Sequence, residues 1–174
     1  MAAVQPKRLA LISTGGTIEK TYDARSGELS NRVSVLDVML GSLELRGVEL
    51  ERIQLMNKDS LEMSDQDHAL IAQVAGDEAT RHDGVIVVHG TDRLAVSGER
   101  IVKQWGRPAA PIVLTGAMRP YELRDSDALQ NLTEALMAVQ LLPPGVYVVM
   151  HGQVLEFPGV VKDHARGSFF KPGP

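Results

Sequence analysis

The chain has 174 residues, 44% of them hydrophobic and 23% charged, with a net charge of −4 and a pI of about 5.7. That composition suits one globular domain with a full core, and its mild acidity without a basic stripe argues against nucleic acid or an anionic membrane as partner. There is no cysteine, which excludes disulfides, thiolate metal sites and thiol nucleophiles, so a nucleophile has to be oxygen or nitrogen.

In chain order, the four residues after Arg8, Leu9 to Ile12, are a short apolar run that passes directly into Ser13-Thr14-Gly15-Gly16-Thr17-Ile18. An apolar run ending in Gly-Gly reads as a buried strand entering a turn too tight for side chains. The glycines permit positive φ and close approach to a ligand, while Thr14 and Thr17 bring hydroxyls to the same place. The competing structural reading is a βα turn whose threonines bond only the backbone. Glu19 to Arg32 is polar and without period, a loop of the length that serves as a lid, with Tyr22 as its one large side chain. Val33 to Leu40 is expected to be a helix with Ser34 as its cap. Val48 to Met56 reads as a strand followed by the polar turn Asn57-Lys58-Asp59-Ser60.

Ser64 or Asp65 starts a helix with Leu70, Ile71 and Val74 as its apolar stripe, stopped by His82-Asp83-Gly84. Gly84 to Val88 is a buried parallel-type strand ending in His89-Gly90-Thr91-Asp92, and the next helix carries Leu94, Ile101, Val102 and Trp105 on one side. Ile112 to Leu114 is a strand ending in Thr115-Gly116-Ala117-Met118-Arg119-Pro120. Asp125 or Ser126 caps a helix with Leu129, Leu132, Leu136 and Val139 inward, and Val146 to Met150 is a further strand. Gly152 to Lys162 is expected to form a hairpin, and Gly167 to Pro174 to be a tail without structure of its own.

Strands alternating with helices mean an α/β sheet covered on both faces. The polar clusters Thr14/Thr17, Asp59/Ser60, His89/Thr91/Asp92 and Thr115/Arg119 then fall at strand ends along one edge, where such sheets bind ligands. The Thr91-Asp92 pair also fits the N-terminus of a helix, where both are favourable caps. No phosphate-binding glycine signature and no metal-ligand spacing occurs, so neither a nucleotide nor a metal is expected, and no cofactor. His89 and His151 at strand ends read as hydrogen-bonded fixtures. The apolar run after Arg8 is too short for a signal-peptide core and no stretch reaches membrane-spanning length, so a cytoplasmic protein is expected.

Thr14 to Ile18 (TGGTI), His89 to Asp92 (HGTD) and Thr115 to Pro120 (TGAMRP), in that order, resemble the signature segments of the bacterial-type L-asparaginase family. Asp125-Ser126-Asp127 with Asn131-Leu132, and Val148-Val149-Met150, resemble that family's next helix and strand. The resemblance runs from about Lys7 to about Val161, over the family's N-terminal domain. It implies a three-layer α/β sandwich with a mostly parallel sheet of the Rossmann/flavodoxin type, residues 1–174 forming one domain without the smaller second domain that most members carry.

The resemblance further implies that Thr17 is the nucleophile on a side-chain amide and that Tyr22 is the lid tyrosine beside it. Thr91, Asp92 and Lys162 would form a second catalytic group, with Asp92 also taking the substrate α-amine. Asp59 and Ser60 match the loop that holds the α-carboxylate and amine, and the amides about Gly16 and Gly90 would face the oxyanion. The implied reaction is hydrolysis of L-asparagine to L-aspartate and ammonia through a threonine acyl-enzyme, by a homo-oligomer, dimer or tetramer. Glutamine or a related amide is the alternative substrate. A non-catalytic amino-acid-binding regulator is the alternative of another class.

Overall fold

The computed structural model describes residues 5–30 and 35–173. The first strand, β1 (Lys7–Gly15), leads through a short 3-10 turn into the hairpin β2 (Thr21–Asp23) and β3 (Glu28–Ser30). Next come α1 (Leu36–Gly41), β4 (Val48–Lys58), α2 (Asp65–Ala79), β5 (Gly84–Val88), α3 (Leu94–Trp105), β6 (Ile112–Thr115) and α4 (Ala128–Leu141). The chain closes with β7 (Val146–Met150), β8 (Gln153–Glu156), β9 (Val161–Asp163) and β10 (Ser168–Phe170).

Six strands form the central sheet in the order β4-β1-β5-β6-β7-β8, parallel except for β8. Alternation along the buried strands divides the core in two. Ala10, Ile12, Val85, Val87, Ile112 and Leu114 pack with Ile71, Ala72 and Ala75 of α2 and with Leu94 and Ile101 of α3. Leu9, Leu11, Ile86, Val88 and Val113 pack on the other face with Leu36 and Met39 of α1 and Leu132, Leu136 and Val139 of α4. Period-2 side chains on a sheet with helices on both sides produce this three-layer sandwich. The order of the parallel strands is the flavodoxin-like one, which reverses direction between β1 and β5. The crevice at such a reversal is where ligands bind in open α/β sheets, and the turns after β1 and β5 flank it.

Local chemistry accounts for the element ends. Ser64 Oγ accepts the Asp67 amide at 3.2 Å while Asp67 accepts the Ser64 amide at 2.8 Å, the reciprocal capping box that starts α2. The α2 stripe differs from expectation: Leu70 is 46% exposed, and the buried face is Ile71, Ala72, Ala75 and Ala79. Helical periodicity places 71, 72, 75 and 79 on one face, and their alanines let α2 lie close to the sheet and to α3. At α4 the N-cap is Asp127, one residue beyond the expected Asp125 or Ser126, and its side chain makes no cap bond. Ser126 Oγ accepts the Ala128 amide at 3.1 Å from just outside the helix, and Asp125 is exposed. Asn131 is fully buried and donates to Gly116 O at 2.9 Å, which ties α4 to the turn after β6.

Four further expectations from sequence are corrected. Residues 21–30 of the expected loop form the β2–β3 hairpin, because Thr21, Tyr22 and Asp23 pair with Ser30, Leu29 and Glu28. The hairpin expected within Gly152 to Lys162 lies elsewhere. β8 folds back on β7 through His151 and Gly152, both at positive φ (54° and 71°), and β9 pairs with β10 instead. The tail is therefore structured: Phe169 on β10 is 4% exposed and belongs to the core. The helix expected over Val33 to Leu40 forms at Leu36–Gly41; its expected cap Ser34 lies outside the described residues.

Candidate active site

Three turns meet at the carboxyl edge of the sheet. Gly16 follows β1 with φ 86°, and a Cβ there would overlap the Cα and N of Gly90 after β5. A Cβ on Gly90 would in turn stand 2.6 Å from Ser60 Oγ. Only glycine permits backbone contact this close. The TGGT, HGTD and Asp59-Ser60 turns therefore abut one another, although they come from distant parts of the chain.

The hydroxyls of these turns divide into two groups. Thr14 Oγ1 is buried and donates to Val88 O at 2.8 Å, and Thr115 Oγ1 donates to Val149 O at 2.9 Å; both tie strands together. Thr17 is half-buried, opens the short turn Thr17–Glu19, and its hydroxyl meets no hydrogen-bond partner among the described residues. Thr91 is 4% exposed, and its Oγ1 lies 3.5 Å from Met118 Sδ.

Lys162 of β9 reaches across to the HGTD turn. Its Nζ donates to Thr91 Oγ1 at 2.9 Å and to Asp92 Oδ1 at 2.6 Å, and its side chain is 10% exposed. Lys58 and Lys171 are engaged elsewhere: Lys58 pairs with Asp67 at 2.8 Å and Lys171 donates to Glu156 O at 2.8 Å. His164 Nδ1 lies 3.8 Å from the same Asp92 oxygen.

Asp59 caps the turn after β4, accepting the Leu61 amide at 3.0 Å, and its other oxygen takes Lys20 Nζ at 2.8 Å. The Lys20 hydrogen bond, aided by the Leu61 amide, holds the Asp59 carboxyl below the usual carboxylate range. Ser60 is buried against Gly90, 3.4 Å from the Arg93 amide. Tyr22 stands on β2, 59% exposed; its backbone N–H donates to Glu122 Oε2 at 2.7 Å, which ties the hairpin to the loop after β6.

Several contributors carried no local signal in the sequence. Lys20 pairs with a carboxylate 39 residues away. Buried Glu19 accepts the Gly15 amide at 3.1 Å and stiffens the TGGT turn from within. Asp127 accepts the amides of Met118 and Arg119 at 3.0 Å each and His151 Nε2 at 2.6 Å, fixing the turn that puts Met118 against Thr91. Burial opposes its charge, yet the Met118 amide and His151 outweigh burial and keep Asp127 below its ordinary range. His89 and His151 are hydrogen-bonded fixtures, the former fully buried.

Among the described residues no cluster of three or more His, Asp or Glu side chains is placed to hold a metal. Nor is any helix among them long and apolar enough to cross a membrane. The arrangement is an unengaged hydroxyl on a turn whose Gly16 abuts the turn carrying a hydroxyl–ammonium–carboxylate group, while the Gly15 and Gly16 amides are taken by Glu19 and Lys58 O. That is the constellation required for nucleophilic attack on a carbonyl with proton transfer nearby.

Comparison with known proteins points the same way. The family model described as asparaginase, N-terminal, matches residues 8–169. The L-asparaginase of Thermococcus kodakarensis is 28% identical over 160 residues, 92% of this chain and 49% of that protein. A glutamyl-tRNA(Gln) amidotransferase subunit of Haloquadratum walsbyi is 32% identical over 154 residues, 85% of this chain and 34% of that protein. The solved structure of the thermostable Thermococcus kodakarensis L-asparaginase superposes with a TM-score of 0.84 at 29% identity, over 94% of this chain and 51% of that one. The chain thus spans about half the length of the asparaginase relatives and about a third of the amidotransferase subunits. On the match across residues 8–169, the chain belongs to the asparaginase family, corresponding to that family's N-terminal domain.

Proposed function

We propose that this chain hydrolyses the side-chain amide of L-asparagine to L-aspartate and ammonia, with Thr17 as the nucleophile. The observation that carries the reading is Lys162 Nζ bridging Thr91 Oγ1 at 2.9 Å and Asp92 Oδ1 at 2.6 Å, on a turn whose Gly90 abuts Gly16. Thr17 Oγ1 attacks the amide carbon and its proton passes to the departing nitrogen, so that the C–N bond breaks, ammonia leaves and an ester to Thr17 remains. The Thr91 amide of the HGTD turn holds the oxyanion, whereas the expected Gly16 amide is taken by Lys58 O at 3.0 Å and that of Gly15 by Glu19. Losing one such donor typically costs about 10²–10³-fold in rate.

In the second half-reaction Thr91 and Lys162 orient the water that attacks the ester; its oxygen bonds the acyl carbon as the C–O bond to Thr17 breaks, and its proton passes to the Thr17 oxygen, returning the hydroxyl. Asp92, 36% exposed at its side chain, takes the substrate α-amine, and the Asp59-Ser60 turn holds the α-carboxylate end through Ser60 and Lys20. A carboxylate neutralised by Lys20 lets an anionic substrate group approach Asp59 without repulsion. The exposed Tyr22 closes over Thr17 as the hairpin moves. The working unit in this reading is a cytoplasmic homo-oligomer, dimer or tetramer, built from the 1–174 domain, which light scattering checks directly.

Ammonia release from L-asparagine by the wild-type chain, with a matching yield of aspartate, is the expected result. A folded Thr17→Ala variant should release none, and full activity in that variant refutes the nucleophile assignment. L-glutamine, one methylene longer, is the second candidate substrate. A methylene is worth about 1–3 kcal/mol in a pocket, so the ratio of kcat/KM for the two amides decides between them. Binding of either amino acid with no ammonia would instead mark a non-catalytic sensor.

A further inference from the structure

Behind the HGTD turn, three buried side chains form one hydrogen-bonded chain from α2 to the Gly90 carbonyl. His89 Nδ1 lies 2.8 Å from Gly90 O, His89 Nε2 2.8 Å from Ser97 Oγ, and Ser97 Oγ 2.8 Å from His68 Nδ1. The two rings stack with centroids 6.1 Å apart and 15° between their planes. His89 and Ser97 are fully buried and His68 is 2% exposed.

The chemistry of the partners gives this chain one direction. A carbonyl oxygen only accepts, so His89 Nδ1 carries the hydrogen. Burial pulls the His89 pKa down to about 4, which leaves the ring neutral near pH 7 and its Nε2 a lone pair. The Ser97 hydroxyl donates to that lone pair and accepts in turn from His68 Nδ1–H. His68 Nε2 is then unprotonated, and it is buried without a hydrogen-bond partner among the described residues. An unmade bond at a buried acceptor costs stability, so the chain's orientation is held at a cost that a purely structural filler would avoid.

We infer that His68, Ser97 and His89 are positioning residues that aim and polarise the Gly90–Thr91 peptide unit, making the Thr91 N–H a preorganised donor to the substrate oxyanion. The inference rests on the amide-hydrolysis reading and extends it to residues outside the cleft. Gly90 C=O and Thr91 N–H belong to one planar trans unit in which they point in opposite directions. Pinning the carbonyl on His89 therefore turns the N–H away from the histidines, and no acceptor meets it among the described residues. A hydrogen bond at one end of a peptide strengthens donation at the other, and each link upstream adds to the polarisation. A donor oriented before the reaction stabilises developing charge without reorganisation.

Nitrogen-15 spectra of the full chain, together with steady-state kinetics of Ser97→Ala and Ser97→Thr, test this. Hydrogen on Nδ1 of both His68 and His89 is expected, and Ser97→Ala should move the Thr91 amide proton upfield. That variant should lose about tenfold in kcat with KM within about twofold, because the donor matters most in the transition state, and Ser97→Thr should restore kcat. Hydrogen on His89 Nε2 overturns the proposal, as does a Ser97→Ala variant that leaves kcat and the Thr91 amide unchanged or shifts KM alone. The tautomer measurement needs no variant, so it decides even where Ser97→Ala does not fold. A wild-type chain that releases no ammonia overturns the hydrolase reading and the oxyanion role together; an active chain with the opposite tautomer overturns the relay alone.

Discussion

The two threonine turns at the sheet edge are built to opposite specifications. The Thr91 turn is closed: its hydroxyl takes Lys162 at 2.9 Å, lies 3.5 Å from Met118 Sδ, and stands in front of the fully buried His89. The Thr17 turn is open: its hydroxyl has no partner among the described residues, and the chain passes directly into an exposed hairpin. One residue type at one sheet edge has thus been given two environments. A hydroxyl already set in a fixed network suits proton transfer, and one left unengaged is available to attack a ligand.

The contrast breaks most sharply at the hydroxyls themselves. Thr17→Ala should lower turnover of L-asparagine by at least ~10³-fold and leave no covalent adduct on the protein. Thr91→Val should still form the adduct, slowly, and accumulate it because its hydrolysis is impaired; rapid-quench mass spectrometry separates the two. Equal behaviour of both variants would erase the division of labour. Lys162→Met should cost about 10²–10⁴-fold in kcat, and Lys162→Arg should not rescue it, since a planar guanidinium does not reproduce the compact ammonium held between Thr91 and Asp92.

On the open side the effect is smaller. Lys20→Met removes the 2.8 Å tie between the hairpin root and Asp59 and should raise KM about three- to tenfold with a modest change in kcat, read from substrate-saturation curves. The closed side should show itself in stability. His89 has a folded pKa near 4 against 6.5 unperturbed, so the unfolded chain binds its proton first. Its contribution is complete above pH 6.5 and fades as pH falls toward 4, and denaturant midpoints between pH 7.5 and 4.5 should decline accordingly. Ser64→Ala, at the α2 cap remote from both turns, should cost only about 1 kcal/mol of stability and leave kcat unchanged.

The elements legible in the sequence share a property. The β5 run Gly84 to Val88 and the Ile112 to Leu114 run declare themselves because strands buried on both faces must be apolar throughout. Ser64 before α2 declares itself because a cap is a local arrangement. The β2–β3 hairpin and the β9–β10 pair give no such sign, because strands of three residues are too short to display a period. Leu70 misleads because bulk suggests burial, whereas close packing of α2 favours the alanines beside it.

From its residues alone this chain determined an α/β sheet whose glycine- and threonine-rich turns collect on one edge, since period, turn chemistry and strand composition are local properties. Tertiary structure decided which of those groups touch. Lys162 meets Thr91 across 71 residues and Lys20 meets Asp59 across 39, pairings that no local pattern encodes. Strand order brought them together, and strand order is set by the packing of two helical layers against one twisted sheet rather than by any single segment. The same packing closed one threonine into a network and left the other open.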